Sequence, residues 1–282
     1  MRKPSLETPY LMGLTWLVAV PAVGALVLAV TDFSGVQGPR FTGFANFARL
    51  AGDDLFWTSL ASSAVYVLVA VPVRLVAAVA FAVLLQRDRR GAGTARTIAF
   101  LPSVIPDAAY ALLWLWILNP LYGPLSAGLA AMGIPAPGWL TEPGPARIAL
   151  GVVGAFQLGE AFVVALAARR AVPPVLYEAA AVEGASPWFS FRRITLPMMA
   201  PVLALLALRD VLLAFQTSFV PALVITGGGP RYATHYLPLY VYRTAFGHLR
   251  LGYASAMAVA MFAVTAAIVL AQVRVARRWR LV

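Results

Sequence analysis

Cysteine is absent from all 282 residues, which excludes disulfides, thiolate metal sites and thiol nucleophiles together. Histidine is almost absent as well, and His235 and His248 cannot assemble a metal site by themselves. Charge is scarce: 12% of residues are charged where soluble domains carry about a quarter, and 61% are hydrophobic. That balance belongs to a protein whose solvent is a bilayer. No GxxxxGK[ST] phosphate loop occurs, nor any paired acid/base motif, metal cluster or nucleophile elbow, so the chain carries no basis for hydrolysing ATP or for other catalysis. The scarce charge is also lopsided, at a formal +11. In a soluble protein this would suggest nucleic acid, so the placement of the cations has to decide.

Six apolar stretches are present, at roughly 10–31, 60–85, 97–118, 147–168, 199–225 and 254–275. Each reaches the ~20 residues needed to cross hydrocarbon. The first exceeds a signal-peptide core and has no convincing cleavage site before Thr31-Asp32, so it reads as a retained helix. Pro21, Pro72, Pro106 and Pro201 lie inside or at the edges of these stretches and predict kinks. With the N-terminus inside, the cytoplasmic segments hold Arg2, Lys3, Arg87, Arg89, Arg90, Arg96, Arg169, Arg170, Arg192, Arg193, Arg274, Arg277, Arg278 and Arg280. The opposite loops hold only Arg40, Arg49, Arg147, Arg231, Arg243 and Arg250, so both termini are expected in the cytoplasm. Cations spread over five segments as helix-end anchors form no nucleic-acid stripe. No internal repeat is evident, and the expectation is a single all-α polytopic domain over 1–282.

The informative loop is 169–197, between the fourth and fifth stretches. Pro173-Pro174 can open a helix, Glu178 and an alanine run continue it, and Gly184 ends it. Ser186 suits an N-cap with Pro187 at the first helical position, which predicts a second short helix after a sharp bend at Gly184-Ala185. Small residues on the first helix permit close approach of a partner, and Trp188, Phe189 and Phe191 could anchor the second at the membrane face.

The string Glu178-Ala179-Ala180, with Gly184 six residues after the glutamate and Ile194-x-Leu196-Pro197 ten after the glycine, resembles the signature loop of bacterial ABC-importer permeases. The resemblance implies a type I permease fold with six transmembrane helices, and it makes Glu178, Ala179, Ala180, Gly184, Ile194, Leu196 and Pro197 the docking site for an ATP-binding subunit. ATP and Mg would be held there, with no cofactor in this chain. Resemblance extends from about Phe41 to Met261. The run Phe41-Thr42-Gly43-Phe44-Ala45-Asn46-Phe47 followed by Asp54-Leu55-Phe56-Trp57 is similar to the first external loop of sugar-type permeases, and Thr226-Gly227-Gly228-Gly229-Pro230 to the maltose and glycerol-phosphate type. The large external insertion and the extra N-terminal helices of the maltose-specific member are missing. Gly227, Gly228, Gly229 and Pro230 would face an extracytoplasmic substrate-binding protein. The implied partners are that protein, a second homologous permease, two ATP-binding subunits and the lipid of a bacterial or archaeal cytoplasmic membrane.

Polar residues inside apolar stretches are costly and point to a path or to ion pairs; here they are Arg74, Asp107, Gln157, Glu160, Arg209, Asp210 and Gln216. An interhelical pair of arginine with carboxylate would serve structure alone, and aromatics near span ends often serve as an interfacial belt. Arg209 and Asp210 are adjacent and are expected on different helix faces. Sugars are held by planar polar groups and aromatic faces, which makes Trp114, Trp116, Asn119, Gln157, Glu160, Asp210 and Gln216 the candidate substrate path. No surplus of buried cations favours a phosphate cargo. The expected function is import of a sugar, with glycerol-phosphate or another polyol derivative on the same machinery as one alternative. An ion-coupled secondary transporter using Asp107, Glu160 and Asp210 is another, and a membrane-bound enzyme or scaffold has no motif to support it.

Overall fold

The computed structural model describes residues 7–278, without the side chain of Arg278. Arg2, Lys3, Arg280 and the Arg278 side chain, which carry part of the orientation argument, lie outside the described residues.

Among the described residues, four helices are long and apolar enough to span a membrane by themselves: α1 (Glu7–Ala29), α3 (Asp54–Leu84), α10 (Pro187–Thr226) and α12 (Leu251–Arg278). The third and fourth predicted stretches are each broken in two. Ala92–Ser103 (α4) and Asp107–Ile117 (α5) meet at 99°, and Pro143–Phe156 (α7) and Gly159–Arg170 (α8) meet at 52°. Counting each bent pair as one span gives the six that were expected. Pro106 explains the first break, because it sits in extended conformation (φ −55°, ψ 137°) just ahead of α5 and supplies no N–H to continue the ladder. Pro72 and Pro201 are instead absorbed within α3 and α10. Shorter elements complete the chain: strands β1 (Thr31–Asp32) and β2 (Arg40–Phe41), and helices α2 (Ala45–Ala51), α6 (Pro124–Ala131), α9 (Pro174–Val182) and α11 (Leu237–Tyr242).

Two compact units are distinguished, one of residues up to Leu60 with Leu237–Ala266, the other of Ala61–Tyr236 with the residues from Ala267 on. In the first, β1 and β2 pair antiparallel, Thr31 opposite Phe41. The Asn46 amide donates to the carbonyls of Ala29 (3.0 Å) and Thr31 (2.8 Å), capping the end of α1. Gly252 lets α12 approach this turn, since a Cβ there would strike the Thr31 carbonyl. Asp53 caps α3 by accepting from the amides of Leu55 and Phe56, and its other oxygen accepts from the hydroxyls of Tyr240 (2.8 Å) and Tyr253 (2.6 Å). Burial opposes ionisation of this carboxyl, but the four hydrogen bonds together outweigh it and hold the group below its usual range. Leu50, Phe56, Leu237, Tyr253 and Met257 form the apolar centre of the unit.

The second unit packs α3, α8 and the start of α10 through Ala78, Ala82, Phe162, Ala165 and Met199, where alanines bring the helix backbones close together, as bilayer helices require.

Candidate functional site

The break between α7 and α8 has no proline, and its backbone explains how it persists. Ending α7 at Phe156 removes the helical partners of the Val153 and Gly154 carbonyls. Tyr110 on α5 donates its hydroxyl to Val153 (2.7 Å), and Arg74 on α3 donates its guanidinium to Gly154. The Gly159 amide, the first of α8, donates to Ser103 Oγ at the other break (2.9 Å). Side chains therefore satisfy backbone groups that hydrocarbon could not.

Between the two breaks, α3 and α10 lies a polar cavity of about 210 Å3. Arg74 enters it from α3, and Ser103 and Asp107 from the first break. Gln157, Glu160 and Ala161 come from the second, while Arg209, Asp210, Leu213 and Thr217 come from α10. Arg74 and Asp210 are the buried pair, 3.6 Å apart, with side chains 8% and 1% exposed. At the more open side Arg209 pairs with Glu160, and its other nitrogen lies 3.4 Å from Asp210. Arg209 and Asp210 were expected on different helix faces; both line the cavity, and an Arg209 nitrogen reaches Asp210. Gln157 donates to Asp107 (3.3 Å).

Of the seven candidate path residues, the structure gathers Gln157, Glu160 and Asp210 into this cavity and places the other four outside its lining. Trp114 packs edge-on against Tyr110 and Phe156, with ring centroids 6.2 and 5.5 Å away. Trp116 is exposed. Asn119 accepts the amides of Leu121 and Tyr122 in a turn after α5. Gln216 is exposed beside α10's cavity face. Ser103 and Thr217 were overlooked. Helical spacing could have found Thr217, because Asp210, Leu213 and Thr217 fall at i, i+3 and i+7 of one helix face.

The loop after α8 is a bend closed at both ends. Helix α9 ends with the Ala185 amide on the Ala180 carbonyl (2.9 Å) and the Gly184 amide on that of Ala181 (3.1 Å), Gly184 taking φ +73°. Ser186 then caps α10, its Oγ accepting from the Phe189 amide (3.2 Å). The bend at Gly184-Ala185 is as expected, but the second helix is not a short separate one: it continues through a widened turn at Phe191–Thr195 into the span. Glu178, Ala179 and Gly184 are exposed, and Val182 at the tip is 88% exposed. Ala180 is half-buried, Leu196 and Pro197 are exposed on the continuing helix, and Ile194 packs into the core of the unit. Tyr177 ties the loop's two arms together through Thr195 Oγ1 (2.7 Å), with the Arg169 guanidinium over its ring at 4.5 Å.

The glycine string follows α10 as a tied-down turn. Gly227 and Gly228 take φ +55° and +81°, Gly228 donates to the Ala222 carbonyl, and buried Thr234 bridges Thr226 Oγ1 (2.7 Å) and the Gly229 carbonyl (2.6 Å).

A family described as the binding-protein-dependent transport system inner membrane component matches residues 59–281. The chain belongs to this family. It is thus a transport component, a multi-pass permease of the ABC-importer type. It is 32% identical over 96% of its length to a probable ABC transporter permease protein, YesP, of Bacillus subtilis, covering 89% of that protein. The permease is also 30% identical to the trehalose/maltose transport system permease MalF of Thermococcus litoralis, over 86% of this chain and 82% of the relative. Its fold matches a chain of a bacterial importer of the acidic polysaccharide alginate with a TM-score of 0.81 at 23% identity, over 96% of this chain and 93% of the other.

Proposed function

We infer that this permease carries a sugar across a bacterial or archaeal cytoplasmic membrane, driven by ATP hydrolysed on separate subunits seated against the Glu178–Gly184 knob. The observation that carries the reading is that knob: a rigid bend, capped at both ends, presenting small residues and an exposed valine beside the signature glycine. Among the described residues, Glu178, Ala179, Val182 and Gly184 are left exposed. A closing ATPase dimer shifts the helices only through a surface that it holds more tightly in one packing than in another. Val172 and Ile194 fasten the two arms of the knob to the α3/α8/α10 core, so displacement of the knob is transmitted to the helices around the polar cavity.

On this reading the Gly227–Pro230 turn meets an extracytoplasmic binding protein, a second homologous permease completes the path, and Gln157, Glu160 and Asp210 border the route. The sugar is supported by the trehalose/maltose relative and by a cavity rich in carboxylate, amide and hydroxyl groups. The test is Gly184→Arg, which forces a bulky cation into a left-handed backbone at the knob. Uptake should be abolished with membrane insertion intact; uptake at the unmodified rate would sink the docking assignment.

A further inference from the structure

The charge inside the polar cavity restricts what can pass. Two guanidiniums face it, and each already stands against a carboxylate of the chain. Arg74 is nearly enclosed, donating to the Gly154 carbonyl and lying 3.6 Å from Asp210. Arg209 is shared between Glu160 and Asp210. Three carboxylates line the same space, and among the described residues Asp107 has only the Gln157 amide as its side-chain partner. The lining therefore carries one more negative charge than positive, and each cation is already neutralised by a carboxylate of the protein itself.

Resting on the sugar-permease reading, we propose that the cavity accepts uncharged polyhydroxylated cargo and rejects carboxylated, sulfonated or phosphorylated sugars. A sugar hydroxyl both donates and accepts. It can donate to Asp107 and Glu160, and accept from Gln157, Thr217 and Ser103, whose Oγ keeps its own proton while taking the Gly159 amide. An anion offers only acceptors to a lining whose strongest groups are acceptors. It would have to displace Glu160 or Asp210 from an arginine, leaving a carboxylate without its counter-charge in a site of low dielectric. A ligand carrying a fixed negative charge is matched where an unpaired guanidinium forks toward it, and here each guanidinium already faces a carboxylate of the protein.

The test is saturation-transfer NMR on the purified importer complex without its binding protein, comparing maltotriose with maltobionate, a sugar acid. The neutral probe should show contacts, with the acid at least tenfold weaker. Glu160→Gln, which removes one partner from Arg209, and Asp107→Asn, which removes the least-paired carboxylate, should each raise the acid-to-neutral ratio about tenfold. Equal binding of the two probes to the unmodified complex, or a ratio unmoved in both variants, overturns the proposal while leaving the sugar reading in place. Binding of neither probe overturns both.

Discussion

At the scale of single residues, the Arg74–Asp210 pair shows how a bilayer protein keeps charge in its interior. With both side chains almost wholly enclosed, removing one partner strands the other, at a cost of about 3–5 kcal/mol. Asp210→Leu should therefore lower the detergent-solubilised melting temperature sharply, and Arg74→Met combined with Asp210→Leu should recover part of the loss; a double variant no better than the single would show that the charges are not coupled. Asp53 gives a pH prediction. Its carboxyl is held below its ordinary 3.8, so its contribution is fully present above 3.8 and is lost as pH falls through the lower folded value. The stability difference between the unmodified chain and Asp53→Asn, about 1 kcal/mol, should be flat above pH 4 and shrink below it. A difference that grows on acidification would contradict the assignment. The charged residues of the cavity and Gln157 were legible in the sequence as costly groups in apolar stretches. Which of them face one another was not, because that depends on helix rotation; of the tryptophans chosen with them, Trp114 packs against Tyr110 and Phe156 and Trp116 is exposed.

At the scale of elements, the two helix breaks organise the site. Pro106 announces the first. The second has no proline or other breaker at Gln157-Leu158, and it exists because side chains from α3 and α5 take over the two carbonyls it frees. No local pattern in the sequence could show that, since Arg74 and Tyr110 lie dozens of residues away. The bend at Gly184-Ala185, by contrast, was readable from glycine, serine and proline in order, because its hydrogen bonds are all local. Helix α3 begins ahead of the apolar stretch at 60–85, at Asp54, where Asp53 caps it. Ser103→Ala should leave the Gly159 amide unpaired and cost about 1–3 kcal/mol. Hydrogen exchange at Gly159 should quicken, and an unchanged rate would show that Ser103 does not hold the break.

At the scale of the whole molecule, the topology expected from the arginine distribution would put the knob and the glycine turn on opposite sides of the membrane. The lack of cysteine makes this directly measurable. Single cysteines at Gly184 and Gly227, both exposed, supply unique labels in an otherwise thiol-free chain. A membrane-impermeant maleimide applied to intact cells should label position 227 and spare 184, whereas inside-out vesicles should reverse the pattern. Labelling of both from one side would refute the topology.

The 88% exposed Val182 at the tip of the knob has a consequence for the life of the protein before it transports anything. On the proposed docking, a newly inserted copy without its ATPase would display an apolar side chain to every chaperone and protease in the aqueous compartment, and capture by the ATPase would hide it. Assembly and quality inspection would then read the same few atoms. Val182→Ser should lengthen the half-life of the orphan permease in pulse-chase labelling while weakening co-purification of the ATPase; an unchanged orphan half-life would show that surveillance reads some other surface.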